Sequence, residues 1–305
     1  MSLLSRISAT GVAAVILFCL FSSSCVPSPQ PGDRTFVDDL GYPVRIQRRV
    51  KRIVSLLPSN SEMVCLLDCE RLKGGTRYDR FPAELTQRIK EKNLEVVGGG
   101  FDPSLEKIFE IGPDLILVNG PSQQRVALPL KRMGFPVFSL YPRDMDGFRR
   151  DFLLLGEILD REEKARRILA DVEAGLEDFR RRTRRNVKRR VYLQTWPDPM
   201  ITVGKNSMSQ WILDLAGGIN IFEDMPLDSG KVSLEWIIQR NPEVLIFVDS
   251  QREFAERIRK LSGWREIDGV QKNHICFIEA VHLRHTIQFL DGVKRIHQCL
   301  FGTVA

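Results

Sequence analysis

Two short apolar runs, Leu115-Ile116-Leu117-Val118 and Val244-Leu245-Ile246-Phe247-Val248, stand out from a chain whose hydrophobic residues are otherwise scattered at mixed spacing. The same pattern leads into both. Ser104-Leu105-Glu106-x-Ile108…Pro113-Asp114 precedes the first, and 129 positions later Ser233-Leu234-Glu235-x-Ile237…Pro242-Glu243 precedes the second. In each copy the serine predicts a helix start, because its hydroxyl can accept from free N–H groups of the first turn. The Pro-acid step ends that helix, and the apolar run predicts a strand covered on both faces. A second echo lies upstream, where Arg52-Ile53-Val54-Ser55-Leu56 and Arg190-Val191-Tyr192-Leu193 each open a strand followed by a helix. The chain therefore reads as two related α/β lobes, an arrangement suited to clamping something between them.

Thr35 to Gln47 alternates apolar and polar residues around Asp39-Leu40-Gly41, which predicts a hairpin. Further strands are expected at Ile53–Leu57, Glu95–Val97, Leu115–Asn119 and Val137–Leu140. Ser59-Asn60-Ser61-Glu62 has the spacing of a capping box opening a helix that contains Met63 to Leu67. From Phe148 to Arg185 there is no proline, and Phe152, Leu155, Ile158, Leu159, Ile168, Leu169, Val172, Leu176 and Phe179 recur at helical spacing. A helix broken at most once over that length is a strut rather than a routine crossover. The expected fold class is α/β, with two Rossmann-like lobes at 35–147 and 187–305 joined by one long interdomain helix at 148–186. Alternation of strands and helices predicts parallel sheets with helices on both faces.

The first 24 residues change the picture of where the chain works. Arg6, an apolar stretch from Gly11 to Phe21 and small residues Ser22 to Ser24 before Cys25 have the form of an export signal, too short to span a bilayer. Small residues directly before a cysteine resemble a bacterial lipoprotein processing site, with Cys25 as the acylated residue. The alternative is ordinary cleavage near the serines, leaving Cys25 a plain thiol. Residues 25–34, with Val26-Pro27-Ser28-Pro29-Gln30-Pro31-Gly32, form a Pro-rich tether. Of six cysteines in the chain, Cys65, Cys69, Cys276 and Cys299 remain for the fold. Cys65 and Cys69, four apart on one helix, fit a disulfide poorly, so buried free thiols are expected. The formal net charge of +6 is concentrated in Arg180 to Arg190. In an exported chain that run is a solvated helix end or a contact for anionic headgroups, and no nucleic-acid partner is expected.

Several stretches together resemble the periplasmic binding proteins that serve ABC importers of cobalamin and ferric siderophores. They are Thr35-Phe36-Val37-Asp38-Asp39-Leu40-Gly41, Lys51 through Glu62, the two Ser-Leu-Glu helices, and Gly217-Gly218-Ile219-Asn220-Ile221-Phe222. The likeness covers nearly the whole mature chain. It implies two α/β lobes on a stiff helix, with ligand held in the cleft. Among the vitamin B12-binding members, a glutamate at a helix start on each lobe docks onto arginines of the permease, and Glu106 and Glu235 match those positions. Their chemistry agrees, since a first-turn carboxylate is stabilised by the helix dipole and free N–H groups. For the ligand, the resemblance points to Tyr78 and Phe101 on one lobe, Trp196, Ile201 and Ser229 on the other, and Arg284 at the rim. The match is incomplete. Gly98-Gly99-Gly100-Phe101 replaces a tryptophan-bearing loop, and Ser229 replaces a second tryptophan, so a ferric siderophore or haem stays open beside a corrinoid. Trp211 and Trp264 sit in helical apolar patterns and are expected in the core.

All four histidines lie in the last 32 residues, which argues against a bare-metal site fed from both lobes. His282 and His285 are expected to meet solvent or a local hydrogen bond, although a histidine or Tyr78 could ligate haem iron. No G-x-S-x-G elbow, P-loop or dinucleotide fingerprint is present, and Gly204-Lys205-Asn206-Ser207 lacks the upstream glycine of a phosphate loop. The expected function is a lipid-anchored, monomeric solute-binding protein without enzymatic activity or a cofactor of its own, with an ABC permease and its ATPase as partners. A tethered hydrolase is the alternative from another class.

Overall fold

A computed structural model describes residues 32–302, except 48, 184 and 185. The export signal, Cys25 and most of the tether lie outside the described residues. The chain enters through an antiparallel hairpin, β1 (Arg34–Val37) and β2 (Pro43–Ile46), in which Phe36 faces Val44. Its alternation is the expected one: Phe36, Val44 and Ile46 turn inward while their neighbours meet solvent.

The first sheet holds β3 (Ile53–Ser55), β4 (Leu72–Gly75), β5 (Glu95–Val96), β6 (Leu115–Asn119) and β7 (Val137–Leu140), in the order β5-β4-β3-β6-β7. Every pairing in it is parallel. Helices α1 (Pro58–Asp68), α2 (Ala83–Lys90), α3 (Leu105–Ile111) and α4 (Gln124–Arg132) make the crossovers. Then come α5 (Met145–Ile158) and α6 (Glu162–Thr183).

The second sheet comprises β8 (Arg189–Pro197), β9 (Met200–Val203), β10 (Gly218–Asn220), β11 (Ser229–Lys231), β12 (Val244–Val248) and β13 (Ile275–Ile278), in the order β11-β9-β8-β12-β13. Strands β10 and β9 share one edge of β8, parallel along Arg189 to Val191 and antiparallel from Gln194 onward. Its helices are α7 (Met208–Leu215), α8 (Leu234–Arg240), α9 (Arg252–Ile258), α10 (Asp268–Gln271) and α11 (Phe289–Phe301).

The sequence repeat is a structural one. Ser104 accepts from Lys107 N at 3.2 Å and Ser233 from Trp236 N at 3.4 Å, so both serines cap as expected. Each helix ends on a left-handed residue, Gly112 (φ 55°) or Asn241 (φ 38°). The acid after the proline then pins the next strand to its neighbour. Asp114 accepts from Lys51 N and Arg52 N at 2.7 and 2.9 Å, and Glu243 accepts from Arg190 N at 2.9 Å. The apolar runs are buried on both faces. Leu115 and Leu117 join the main core while Ile116 and Val118 pack on the opposite side, and Val244, Ile246 and Val248 divide from Leu245 and Phe247 in the same way.

Between the sheets, the chain is helical from Phe148 to Thr183 with one break. Helix α5 stops at Ile158, Asp160 adopts a left-handed φ of 54°, and the 22-residue α6 begins at Glu162. Ala165, Leu169, Val172, Leu176 and Phe179 form the buried stripe of α6. One apolar core runs from Ile53 in β3 through Phe148, Phe152 and Leu176 to Val293 and Leu300 in α11, so both sheets share it. Trp264 is buried in the outer cluster of the second sheet and Trp211 packs edge-on to Phe289.

Three expectations are corrected. The Ser59-Glu62 capping box does not form: α1 begins at Pro58 behind Leu57, with no side-chain cap. The four cysteines are not free, because Cys65 pairs with Cys69 and Cys276 with Cys299. For the first pair the reason is local. Helix α1 ends at Asp68, whose φ of −159° takes the chain out of the helix and into a 3-10 turn opened by Cys69, so helical i, i+4 geometry no longer applies. Strand β4 was not expected, since Lys73-Gly74-Gly75 carries no apolar run. Its glycines are there for clearance, as a Cβ on Gly75 would lie 2.3 Å from Asp79 Oδ2. No helix among the described residues is long and apolar enough to cross a membrane.

Candidate functional site: the seam between the two sheets

In parallel α/β sheets, ligands bind outside the carboxyl ends of the strands. Here the carboxyl ends of both sheets are brought together. The loop after β3 leads into α1, whose Ser59 hydroxyl lies 2.8 Å from Nε2 of His285 in the segment after β13. That bond joins residues 226 positions apart and marks the floor where the lobes meet.

On the first sheet, Tyr78 follows β4 and Phe101 follows β5; they are 54% and 69% exposed. Their loops are braced to each other. Arg77 pairs with Asp102 at 2.5 Å, Arg77 N donates to Gly98 O at 2.8 Å, and the Arg77 guanidinium lies over the Tyr78 ring. Gln123, buried after β6, donates to Leu56 O at 2.8 Å and Gly100 O at 2.7 Å and accepts from Asn119 N at 2.6 Å. A Cβ on Gly100 would stand 2.5 Å from Leu56 O, so glycine is required for this approach.

The second sheet supplies Trp196, 57% exposed, whose indole N–H donates to Asp198 O at 3.0 Å. Ile201 is its cross-strand partner in the β8–β9 hairpin. Ser229, on β11, is exposed but pairs with Val203 at the other end of β9 and does not join them. The structure thus gathers Tyr78 with Phe101 and Trp196 with Ile201. Among the described residues, no ring contact or hydrogen bond links the first pair to the second. A groove of about 640 Å³ between the β1–β2 hairpin and α4, lined by Tyr42, Val44, Leu128 and Val137, lies away from this seam.

The seam floor holds groups that the sequence pattern assigned elsewhere. Ser59, Ser61, Glu62, Asp79 and Thr286 are all buried around the half-buried Arg284 and His285. Asp79 accepts from Thr76 N at 3.2 Å and Thr76 Oγ1 at 2.7 Å. Burial raises its carboxyl above the usual range, opposed by Thr76, Ser61 and the charge of Arg284. The same burial pushes Glu62 up to about 8, partly offset by Thr286, Gln288 and Arg284. Arg284 is lowered by burial, with Glu62 and Asp79 pulling the other way. His285 is held down to about 4 by burial and by the Arg284 charge, so it is neutral at pH 7.

Sequence reasoning missed Glu62, Asp79 and Gln123. A signal existed for Gln123, because Pro121-Ser122-Gln123 and Asp249-Ser250-Gln251 follow corresponding strands. Gln251 is likewise buried and hydrogen-bonded to Gln194. Glu106 and Glu235 stand exposed in the first turns of α3 and α8. The Ser233 hydroxyl, then its own backbone N–H, holds the Glu235 carboxyl below the usual range.

A parallel sheet and a mixed one whose central strands β8, β12 and β13 are parallel, clamped by one core and opening their carboxyl ends toward a common seam, define a two-lobed binding protein. The chain belongs to the periplasmic binding protein family, whose pattern it matches over residues 53–281. It is 25% identical over 281 residues to an uncharacterised ABC transporter substrate-binding lipoprotein of Bacillus subtilis, covering 88% of this chain and 85% of that one. Against a vitamin B12-binding protein of Yersinia pestis it is 27% identical over 205 residues, covering 67% and 71%. A solved structure, described as a possible iron-binding periplasmic solute-binding protein of Staphylococcus epidermidis, superposes with a TM-score of 0.70 at 25% identity, covering 83% of this chain and 99% of that one.

Proposed function

We propose that this protein is the solute-binding component of an ABC importer, holding a corrinoid or a related metal chelate between its lobes and delivering it to the permease. The observation that carries the reading is the exposure of Tyr78, Phe101 and Trp196, with half-buried Ile201 beside the last, at the carboxyl ends of two sheets joined by the Ser59–His285 bond. Aromatic rings left in water on loops this well braced are stabilised by a ligand face that covers them. Arg284 lies at the floor and is the ionic contact. Ferric siderophores and haem are the other ligand classes. The S. epidermidis relative named for iron supports that branch, and the Y. pestis relative supports the corrinoid one.

Glu106 and Glu235, one exposed carboxylate per lobe at equivalent helix starts, are the docking points for the permease, whose ATPase drives release. Cys25 is the lipid anchor that holds the chain, as a monomer, to a membrane on its extracytoplasmic side. No reaction is catalysed; affinity comes from burying the faces of the ligand.

Titrating the protein with cyanocobalamin, haemin and a ferric siderophore while following tryptophan fluorescence tests the ligand. Silence with all three, together with turnover of an ester or peptide, would transfer support to a tethered hydrolase. The Glu106→Ala/Glu235→Ala double variant is expected to abolish uptake and leave ligand affinity nearly intact. Equal loss of both would place these glutamates in the pocket instead.

A further inference from the structure

Helix α1 buries four consecutive polar residues, Ser59 to Glu62, at the seam. Three have clear partners: Ser59 meets His285, Asn60 donates to Val118 O and Ser61 donates to Leu57 O. Glu62 is different. It is 2% exposed, its Oε1 has no hydrogen-bond partner, and neither does Nε2 of Gln288, the amide that faces it. An ionised carboxylate with an orphaned oxygen is costly to bury, whereas a neutral acid is far less so. Arg284 completes the picture, because among the described residues no carboxylate lies within ion-pair distance of its guanidinium. Glu62 and Asp79 act on it only through space.

Resting on the binding-protein reading above, we infer that the ligand presents an anionic group (carboxylate, phosphate or catecholate) to Arg284 at the seam, and that Glu62 stands beside that group as an uncharged acid, linking capture of the anion to a proton. The charge count is simple. Arg284 is positive with no carboxylate in contact among the described residues, so with Glu62 neutral its guanidinium is open to one anion. Ionising Glu62 places a second buried negative charge against that anion. Burial already holds Glu62 protonated up to about pH 8, and a nearby anion strengthens that hold.

The groups facing Glu62 are few. Its own helix offers only uncharged Ser59, Asn60 and Ser61. The loop after β4 brings Asp79, the segment after β13 brings Arg284, His285 and Thr286, and the start of α11 brings Gln288. Behind His285 lies Asp39 of the hairpin, with Arg150 and Asp151 of α5. Asp151 is also pushed up to about 8 by burial and by Asp39, so it is the group that must be told apart from Glu62.

The test measures affinity of the mature protein between pH 7 and 9.5 for two anionic probes, a ferric tris-catecholate and haemin, and for cyanocobalamin, which carries no net charge. An anionic probe is expected to bind, with affinity falling by up to about 30-fold over that range as Glu62 ionises. In Glu62→Gln the profile flattens to within about threefold, while Asp151→Asn keeps the fall. Arg284→Gln weakens the anionic probe by about 10- to 100-fold at pH 7, the range of hydrogen bonds to a charged group. An unchanged profile in Glu62→Gln, a flattened one in Asp151→Asn, or capture of cyanocobalamin alone without pH dependence overturns the inference. Binding of none of the three removes the functional reading and this inference with it. Should Glu62→Gln fail to fold, calorimetry of the unaltered protein at pH 8 in buffers of different ionisation enthalpy decides. Net proton uptake with the anionic probe supports the linkage, and zero uptake refutes it.

Discussion

Replacing Gln123 by alanine tests whether the binding loops are held by one buried amide. That side chain serves three backbone groups: the carbonyls of Leu56 and Gly100 and the N–H of Asn119, at 2.8, 2.7 and 2.6 Å. The bond to Leu56 O is fully buried, and the other two are partly so. Leaving a buried carbonyl without a partner costs ~1–3 kcal/mol, and the two groups that water can reach lose ~0.5–1.5 kcal/mol each. The sum is about 4 kcal/mol, which for a chain of this size lowers the melting temperature by roughly 8 °C. Urea unfolding followed by circular dichroism measures the first quantity and calorimetry the second. The same amide ties the loop after β3 to the loop carrying Phe101, so ligand affinity should fall as well, although Gln123 touches no ligand. A loss below about 1 kcal/mol with unchanged affinity would refute the view that this residue positions the site.

Removing the Cys276–Cys299 bridge, which closes a 23-residue separation, should cost about 3.4 kcal/mol on chain-entropy grounds, against about 2 kcal/mol for the four-residue Cys65–Cys69 loop; single-bridge serine variants unfolded in urea give the order. His285 is held near pKa 4 in the folded state, below its unfolded value, so stability is present above pH 6.5 and is lost as pH falls from 6.5 toward 4. Subtracting the unfolding profile of His285→Gln from that of the unaltered protein should reveal this slope, and parallel profiles would deny it. Asp151 has the opposite sign: its folded pKa of about 8 lies above the unfolded one, so stability falls as pH rises from 4 to 8, and Asp151→Asn should flatten that decline.

Much of the framework was legible along the chain. The apolar runs at 115–118 and 244–248 became central strands because an uninterrupted apolar stretch can be buried only where both faces are covered. Ser104 and Ser233 cap helices because capping is a local interaction, complete within three residues. The Pro-acid steps read as helix ends, yet their acids also bind N–H groups of distant strands, and no local rule reports that. Strand β4 escaped notice because its glycines are selected by the close approach of Asp79 rather than by burial of apolar area.

The site was less readable, for a physical reason. Ser59 and Glu62 have the local spacing of a capping box, but the segment at 284–288 competes for both side chains, and a partner more than 200 positions away leaves no mark on local periodicity. The cysteines likewise looked unpaired until the turn at Asp68 broke the helix and redirected Cys69. Local pattern thus determined the two lobes, their repeated helix starts and the exposed glutamates, since each depends on neighbours in sequence. Tertiary structure alone decided which polar groups lost water at the seam, and with them the charge state of the floor, because desolvation is set by what packs from elsewhere in the chain.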